Sequence, residues 1–277
     1  MLRHPEQAPD LTDTSWPTPP HIPALDRDAI HVWKCDVSAV AEYEPMLRRS
    51  LHGIELARGS RFHHAADRTR FQLSRGLLRA LSSHYLGRPA AALAIDAGEF
   101  GKPHLAGADQ GLLAFNISHS GDLLLLAFAR SGRLGVDVER WSLTLRDSER
   151  QRIANSVFSV GEQAAIAQLP AEARQAAFYC VWTRKEAYIK ATGLGLSRGL
   201  DHFEVSALAG EPSIKWDSIL RESVADWRCF DLLAGPGYSA ALVTDVTAAR
   251  IVTMSVDSRI CRGFVPLEHE RFLSPRS

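Results

Sequence analysis

The sequence predicts an α+β fold in which groups of strands and groups of helices follow one another along the chain. Short apolar segments at 112–117, 123–129 and 134–139 are divided by turn residues, as in an antiparallel meander. Longer segments at about 67–86 and 171–191 instead repeat their apolar residues at helical spacing. With 45% apolar residues in 277, the chain can bury a sizeable core, so disorder is excluded as a general description.

Taken in order, residues 1–28 read as a tail, because Pro5, Pro9, Pro17, Pro19, Pro20 and Pro23 break every periodic pattern. Residues 30–34 alternate and predict a first strand. In the helix at 67–86, Phe71, Leu73, Leu77, Leu78, Leu81 and Tyr85 form an apolar face, with Arg70, Arg75 and Arg79 interleaved as a cationic stripe. Gly87, Arg88 and Pro89 end it, and Phe100-Gly101-Lys102-Pro103 marks a loop. Residues 118–122 turn the chain between two strands, and Ser131-Gly132 leads into a third. Ser159 and Glu162 form a capping box ahead of a helix. The helix at 171–191 carries Phe178, Val181, Trp182, Tyr188 and Ile189 and stops at Gly193 and Gly195. Residues 203–205 and 239–243 predict later strands, whereas 251–277 show no decisive pattern.

Lysines plus arginines equal aspartates plus glutamates at 32 each, so no global charge draws the chain to nucleic acid or to an anionic membrane. The longest apolar run, 123–129, is far short of the ~20 residues of a membrane helix, and no secretory signal opens the sequence. Cys35, Cys180, Cys229 and Cys261 are scattered without metal-ligand spacing, which reads as four reduced thiols in a cytoplasmic protein.

Three strings carry chemistry. In Gly135-Val136-Asp137-Val138-Glu139, strand alternation projects Asp137 and Glu139 from one face. Two neighbouring carboxylates repel, so they form either a solvated acidic edge or a seat for a hard cation such as Mg²⁺. In Trp182-Thr183-Arg184-Lys185-Glu186-Ala187-Tyr188-Ile189-Lys190, Glu186 and Lys190 share a helix face. They form either a surface ion pair or, respectively, a third metal ligand or general base and a phosphate contact. Phe115-Asn116-Ile117-Ser118-His119-Ser120-Gly121 sets hydroxyls, an amide and an imidazole at a strand end, suited either to a polar turn or to phosphate oxygens. Lys102 and the arginines at 70, 75 and 79 add cations that a multiply phosphorylated ligand could use.

In this order along the chain the strings resemble the surfactin-synthetase-activating type of 4′-phosphopantetheinyl transferase. Gly-Val-Asp-Val-Glu and Trp-x-x-Lys-Glu-Ala-x-x-Lys-x-x-Gly-x-Gly-Leu, the latter at 182–196 without a gap, match the two signatures of that family. Arg70-Phe71, Arg75, Leu78 and Arg79 are similar to its first-helix pattern, and Pro236-Gly237-Tyr238-Ser239 to the start of its last strands, so the likeness covers about 50–245.

The resemblance implies a pseudo-twofold pair of similar α+β halves, with coenzyme A in the cleft between them. On that basis the chain divides into the tail 1–28, an N-terminal half 29–134, a C-terminal half 135–250 holding the metal and catalytic residues, and an extension 251–277. The resemblance also implies transfer of 4′-phosphopantetheine from coenzyme A to a serine of an apo acyl or peptidyl carrier protein, releasing 3′,5′-ADP, by a cytoplasmic monomer. Asp137, Glu139 and Glu186 would bind Mg²⁺, with Mn²⁺ as an alternative. Lys102, Ser118, His119 and Lys190 would contact coenzyme A phosphates, and Arg58 and Arg70 its 3′-phosphate end. Glu186 would be the base, with Lys190 and His119 stabilising phosphoryl charge. Glu55 stands where a lysine occurs in some members, and Phe71 where a phosphate-binding threonine can occur. The rival readings are a non-catalytic coenzyme A- or carrier-binding module and a metal-dependent phosphoesterase.

Overall fold

The computed structural model describes residues 16–98, 101–193, 195, 199–208, 210–220, 222–247 and 249–264. Parts of the predicted tail (1–15) and extension (265–277), and Phe100 and Leu196 of the motif strings, lie outside the described residues.

Strand β1 (Ala29–Asp36) leads through three short helices, α1 (Val37–Val40), α2 (Glu44–Arg48) and α3 (Gly53–Gly59), to the long helix α4 (Ala65–Leu86). The small strands β2 (Ile95–Ala97) and β3 (Pro103–Leu105) precede the hairpin of β4 (Ala114–Ser120) and β5 (Leu123–Ala129). A second round opens with β6 (Leu134–Arg140) and continues through α5 (Asp147–Val157), α6 (Val160–Ala167) and the long α7 (Ala171–Thr192). Strands β7 (Phe203–Val205), β8 (Ile214–Asp217), β9 (Arg228–Asp231) and β10 (Tyr238–Thr244) follow, then β11 (Arg250–Val256) and α8 (Ser258–Arg262).

The rounds share a topology. β1 pairs antiparallel with β5, which pairs with β4; β6 pairs antiparallel with β10, which pairs with β9. Each therefore places its first strand beside the last of its antiparallel set, and each contains one helix of 22 residues. The chain is thus an α+β pair of similar halves. The extension contributes more than its sequence announced, because β11 adds to the first sheet, parallel to β1.

Strand alternation sorts the apolar residues into three layers of core. Trp33, Cys35, Leu124 and Phe128 pack with Leu73, Leu77 and Leu81 of α4. Ala241 and Val243 pack with Val181, Ala187 and Tyr188 of α7. Between the sheets lie Ile30, Val32, Leu125, Ala127, Val136, Val138 and Leu242. The order is helix, sheet, sheet, helix. Because Val136 and Val138 face the inter-sheet core, alternation turns Gly135, Asp137 and Glu139 toward α7.

The cationic stripe predicted on α4 divides. Arg79 is fully buried; its Nε donates to Glu55 Oε2 at 2.8 Å, and its Nη1 to the carbonyls of Ala90 and Leu93 at 3.0 and 2.9 Å. It is a structural residue, and Glu55 is its counter-ion. Glu55 also accepts from the His52 backbone at 3.0 Å, closing the start of α3.

A buried histidine sets an acid limit on this core. His31 Nδ1 lies 2.8 Å from the Tyr85 hydroxyl, which accepts from Trp33 Nε1 at 2.8 Å. In the tautomer of His31 protonated at Nε2, the one Tyr85 proton is donated to Nδ1. Burial first, then the nearby Arg250, lowers the His31 pKa to about 4. Below the ordinary value of 6.5, the unfolded chain takes up a proton that the fold refuses. Stability is expected to fall as pH drops from 6.5 toward 4, by up to about 3 kcal/mol from this residue. Urea unfolding from pH 7 to 4.5 measures this, and His31→Gln should flatten the slope.

Candidate active site

The two halves meet where the edge strands β4 and β6 lie side by side. They are joined by side chains in place of a backbone ladder. Asn116 Oδ1 accepts from Val136 N at 2.9 Å, Ser118 Oγ from Val138 N at 3.3 Å, and Ser120 Oγ from Arg140 N at 3.0 Å. Three polar residues at period two thus satisfy the free edge of β6. This stripe was visible in the string at 115–121, but Asn116 and Ser120 were missed as members of one device.

The same hydroxyls reach the carboxylates. Ser118 Oγ donates to Asp137 Oδ1 at 2.8 Å, and Ser120 Oγ to Glu139 Oε2 at 2.7 Å. His119, one residue along β4, points to the opposite side of the strand, toward α4. The protein around it, then the positive charges of Arg70 and Lys190, hold its pKa below the usual imidazole value.

Helix α7 comes down on β6 because Gly135 has no side chain. A Cβ there would stand 2.1 Å from the Ala187 carbonyl and 2.4 Å from Ala191 N. The close approach carries Glu186 and Lys190 to the carboxylates of β6. Gly135→Ala is expected to push the helix away and cost about 1–3 kcal/mol, read by urea unfolding.

Lys190 Nζ donates to Asp137 Oδ1 at 2.6 Å, Ser118 Oγ at 3.0 Å and the Val136 carbonyl at 3.3 Å. It does not pair with Glu186, so the surface ion pair suggested by their spacing is absent. Glu186 has no hydrogen-bond or ion-pair partner among the described residues. Burial, then the negative charges of Asp137 and Glu139, push its carboxyl up to about 7 against the opposing pull of Lys190. Burial also raises Glu139, with Asp137 adding to the effect. Lys102 Nζ donates to the carbonyls of Leu134, at 3.2 Å, and of Lys190. It ties the end of α7 to the start of β6. Burial and the neighbouring Lys190 lower its pKa to about 8.

Arg58 and Arg75 lie over the Phe71 ring at 5.8 and 5.4 Å from its centroid. Arg58 also lies beside Gly101, and Arg70 pairs with Asp67 at 2.8 Å. Phe71 is therefore a platform holding two guanidinium groups.

The rest of the second signature is structural. Lys185 and Glu162 are both fully buried, with Nζ to Oε1 at 2.6 Å. Lys185 also donates to the Phe203 carbonyl at 2.7 Å, and Glu162 accepts from Val205 N at 2.8 Å while capping Ser159 N at 2.8 Å. The predicted capping box is present, with a buried lysine behind it that spacing did not disclose. Arg184 grips Asp231 through Nε at 2.8 Å and Nη2 at 2.5 Å.

The donor chemistry suits a hard divalent cation, because Asp137 Oδ2 is buried without a partner and Glu186 is destabilised as an anion. Among the described residues, no three His, Cys, Asp or Glu side chains are already gathered as a ligand set. Lys190 stands against Asp137 in that arrangement.

A family model described as the 4′-phosphopantetheinyl transferase superfamily matches residues 133–243, and one described as the N-terminal part of a 4′-phosphopantetheinyl transferase matches 39–131. The chain is 34% identical over 235 residues to the 4′-phosphopantetheinyl transferase HetI of Nostoc sp., covering 82% of this chain and 96% of that one. It is 45% identical over 97 residues to the AcpT transferase of Salmonella typhimurium (35% and 47% of the two chains), and 32% identical over 145 residues to a 4′-phosphopantetheinyl transferase of Bacillus subtilis (52% and 61%). The chain belongs to the 4′-phosphopantetheinyl transferase family and is an enzyme of that class. No described helix is long and apolar enough to cross a membrane.

Proposed function

We propose that this enzyme moves the 4′-phosphopantetheine arm of coenzyme A onto a serine of an apo carrier protein in a Mg²⁺-dependent reaction. The observation that carries the reading is the meeting of Asp137, Glu139, Glu186 and Lys190 where β4, β6 and α7 converge, in a chain of this family. Asp137, Glu139 and Glu186 would hold the cation. When bound, Mg²⁺ neutralises pyrophosphate charge and helps to orient the phosphorus for in-line attack.

This chain's residues do the rest. The attacking serine oxygen forms a bond to the β-phosphorus, and the bond from that phosphorus to the oxygen of 3′,5′-ADP breaks. The serine proton passes to Glu186. Lys190 and His119 stabilise charge on the phosphoryl oxygens. Ser118, whose proton goes to Asp137, would orient that carboxylate beside the pyrophosphate, Lys102 has one N–H left for a phosphate oxygen, and Arg58 and Arg70 would face the 3′-phosphate end.

Release of 3′,5′-ADP from coenzyme A tests this reading. Release that requires both Mg²⁺ and an apo carrier supports it. Release of the nucleotide without a carrier points to the phosphoesterase, and binding of coenzyme A without turnover to the binding module.

A further inference from the structure

We propose that Lys190 is a built-in counter-cation for Asp137, which an arriving divalent cation displaces and so frees for a phosphate-bearing ligand. The proposal rests on the reading above that the carboxylates hold Mg²⁺.

An ammonium group has three N–H donors and no acceptor. In this chain all three have acceptors on β4 and β6: Asp137 Oδ1 at 2.6 Å, Ser118 Oγ at 3.0 Å and the Val136 carbonyl at 3.3 Å. A lysine held in this way has no donor left for a phosphate oxygen. Its attachment is also selective. Glu186 lies one helical turn away on α7, yet Lys190 passes it by and neutralises the more deeply buried Asp137. Asp137 is 3% exposed, so without a metal it needs a cation beside it. Lys190 meets that need while its own side chain stays 27% exposed, leaving a route outward along its flexible stem.

A cation on the unpartnered Oδ2 of Asp137 and the ammonium of Lys190 on its Oδ1 compete for the charge of one carboxylate. Binding the metal therefore releases one positive charge close to the metal, where an anionic ligand can use it. Coupled equilibria of this kind are reciprocal: the phosphate ligand, by drawing Lys190 away, equally strengthens metal binding. Without the ligand, Lys190 weakens metal binding.

The test uses the full chain without coenzyme A and titrates Mg²⁺ alone by calorimetry. Lys190→Gln should bind Mg²⁺ at least ~5-fold more tightly than the unaltered protein, while Lys190→Arg, which keeps the charge, should stay close to it. Should Lys190→Gln fail to fold, the unaltered protein still decides. Mg²⁺ alone should increase labelling of the Lys190 amine by an acylating reagent, measured by peptide mass spectrometry, while lysines far from the site stay unchanged. Equal or weaker Mg²⁺ affinity in a folded Lys190→Gln variant, or labelling that Mg²⁺ leaves unchanged, overturns the inference alone. If neither form binds Mg²⁺ even with coenzyme A present, the metal reading falls and the inference with it.

Discussion

Glu186→Gln is expected to abolish phosphopantetheine transfer, lowering the rate by about 10²–10⁴-fold, the range for loss of a general base. It should not unfold the protein, because Glu186 contributes no hydrogen bond or ion pair to the fold among the described residues. The fold in fact disfavours the Glu186 carboxylate. Its pKa rises from 4.5 to about 7 through burial first, and through Asp137 and Glu139 next. Across that window the folded chain binds a proton that the unfolded chain has lost, so stability falls as pH rises through it. A neutral glutamine removes the penalty. At pH 8 without metal the variant should be more stable than the unaltered protein, by about 1–2 kcal/mol after allowance for solvent screening. An inactive variant that gains stability marks a residue kept for chemistry at the expense of the fold. Activity within about tenfold of normal would remove Glu186 from the proton transfer.

The opposite signature is expected one residue earlier. Lys185→Met should destabilise the protein by about 3–5 kcal/mol, because it leaves Glu162 buried with no counter-charge. Glu162 cannot simply follow it out, since it also holds the amides of Ser159 and Val205. Adding Glu162→Gln to Lys185→Met should recover only part of the loss, because the amide removes the buried charge but its one oxygen can accept only one of those two bonds. Urea unfolding of the two single variants and the double variant measures the coupling. A loss below about 1 kcal/mol for Lys185→Met would mean that the pair adds little to stability.

These adjacent residues show what sequence can reveal and what it cannot. Alternation in Gly-Val-Asp-Val-Glu put Asp137 and Glu139 on one face, and the structure turns that face toward α7. The capping box at Ser159 and the glycine stop at Gly193 were likewise legible, because both depend on a few local residues. Which charges are structural was not legible. Arg79, Arg184 and Lys185 find their partners 24, 47 and 23 residues away, and no local pattern encodes such distances. For the same reason the i,i+4 spacing of Glu186 and Lys190 suggested a pair, whereas Lys190 reaches 53 residues back to Asp137. Helix α5 was missed because Asp147–Val157 is mostly polar and exposed, with only Ala154 buried. Strand β11 was missed because Arg250–Val256 acquires its meaning only beside β1, at the far end of the chain.

The β4–β6 seam connects this local legibility to function. Each hydroxyl of Ser118 and Ser120 both accepts from the β6 backbone and donates to a carboxylate of the site. The contact that joins the halves is thus the contact that orients Asp137 and Glu139. Gly135 has a matching role on the other side, letting α7 approach closely enough to place Glu186 and Lys190. The site is accordingly a product of the interface between the two halves.

The most direct measurement of the central claim is the intact mass of apo carrier proteins after incubation with this enzyme, coenzyme A and Mg²⁺. The account predicts a gain of about 340 Da, one phosphopantetheine by atom counting, that vanishes when Mg²⁺ is chelated. Carriers of unchanged mass in the presence of bound coenzyme A, or a gain that persists without any divalent cation, would contradict it.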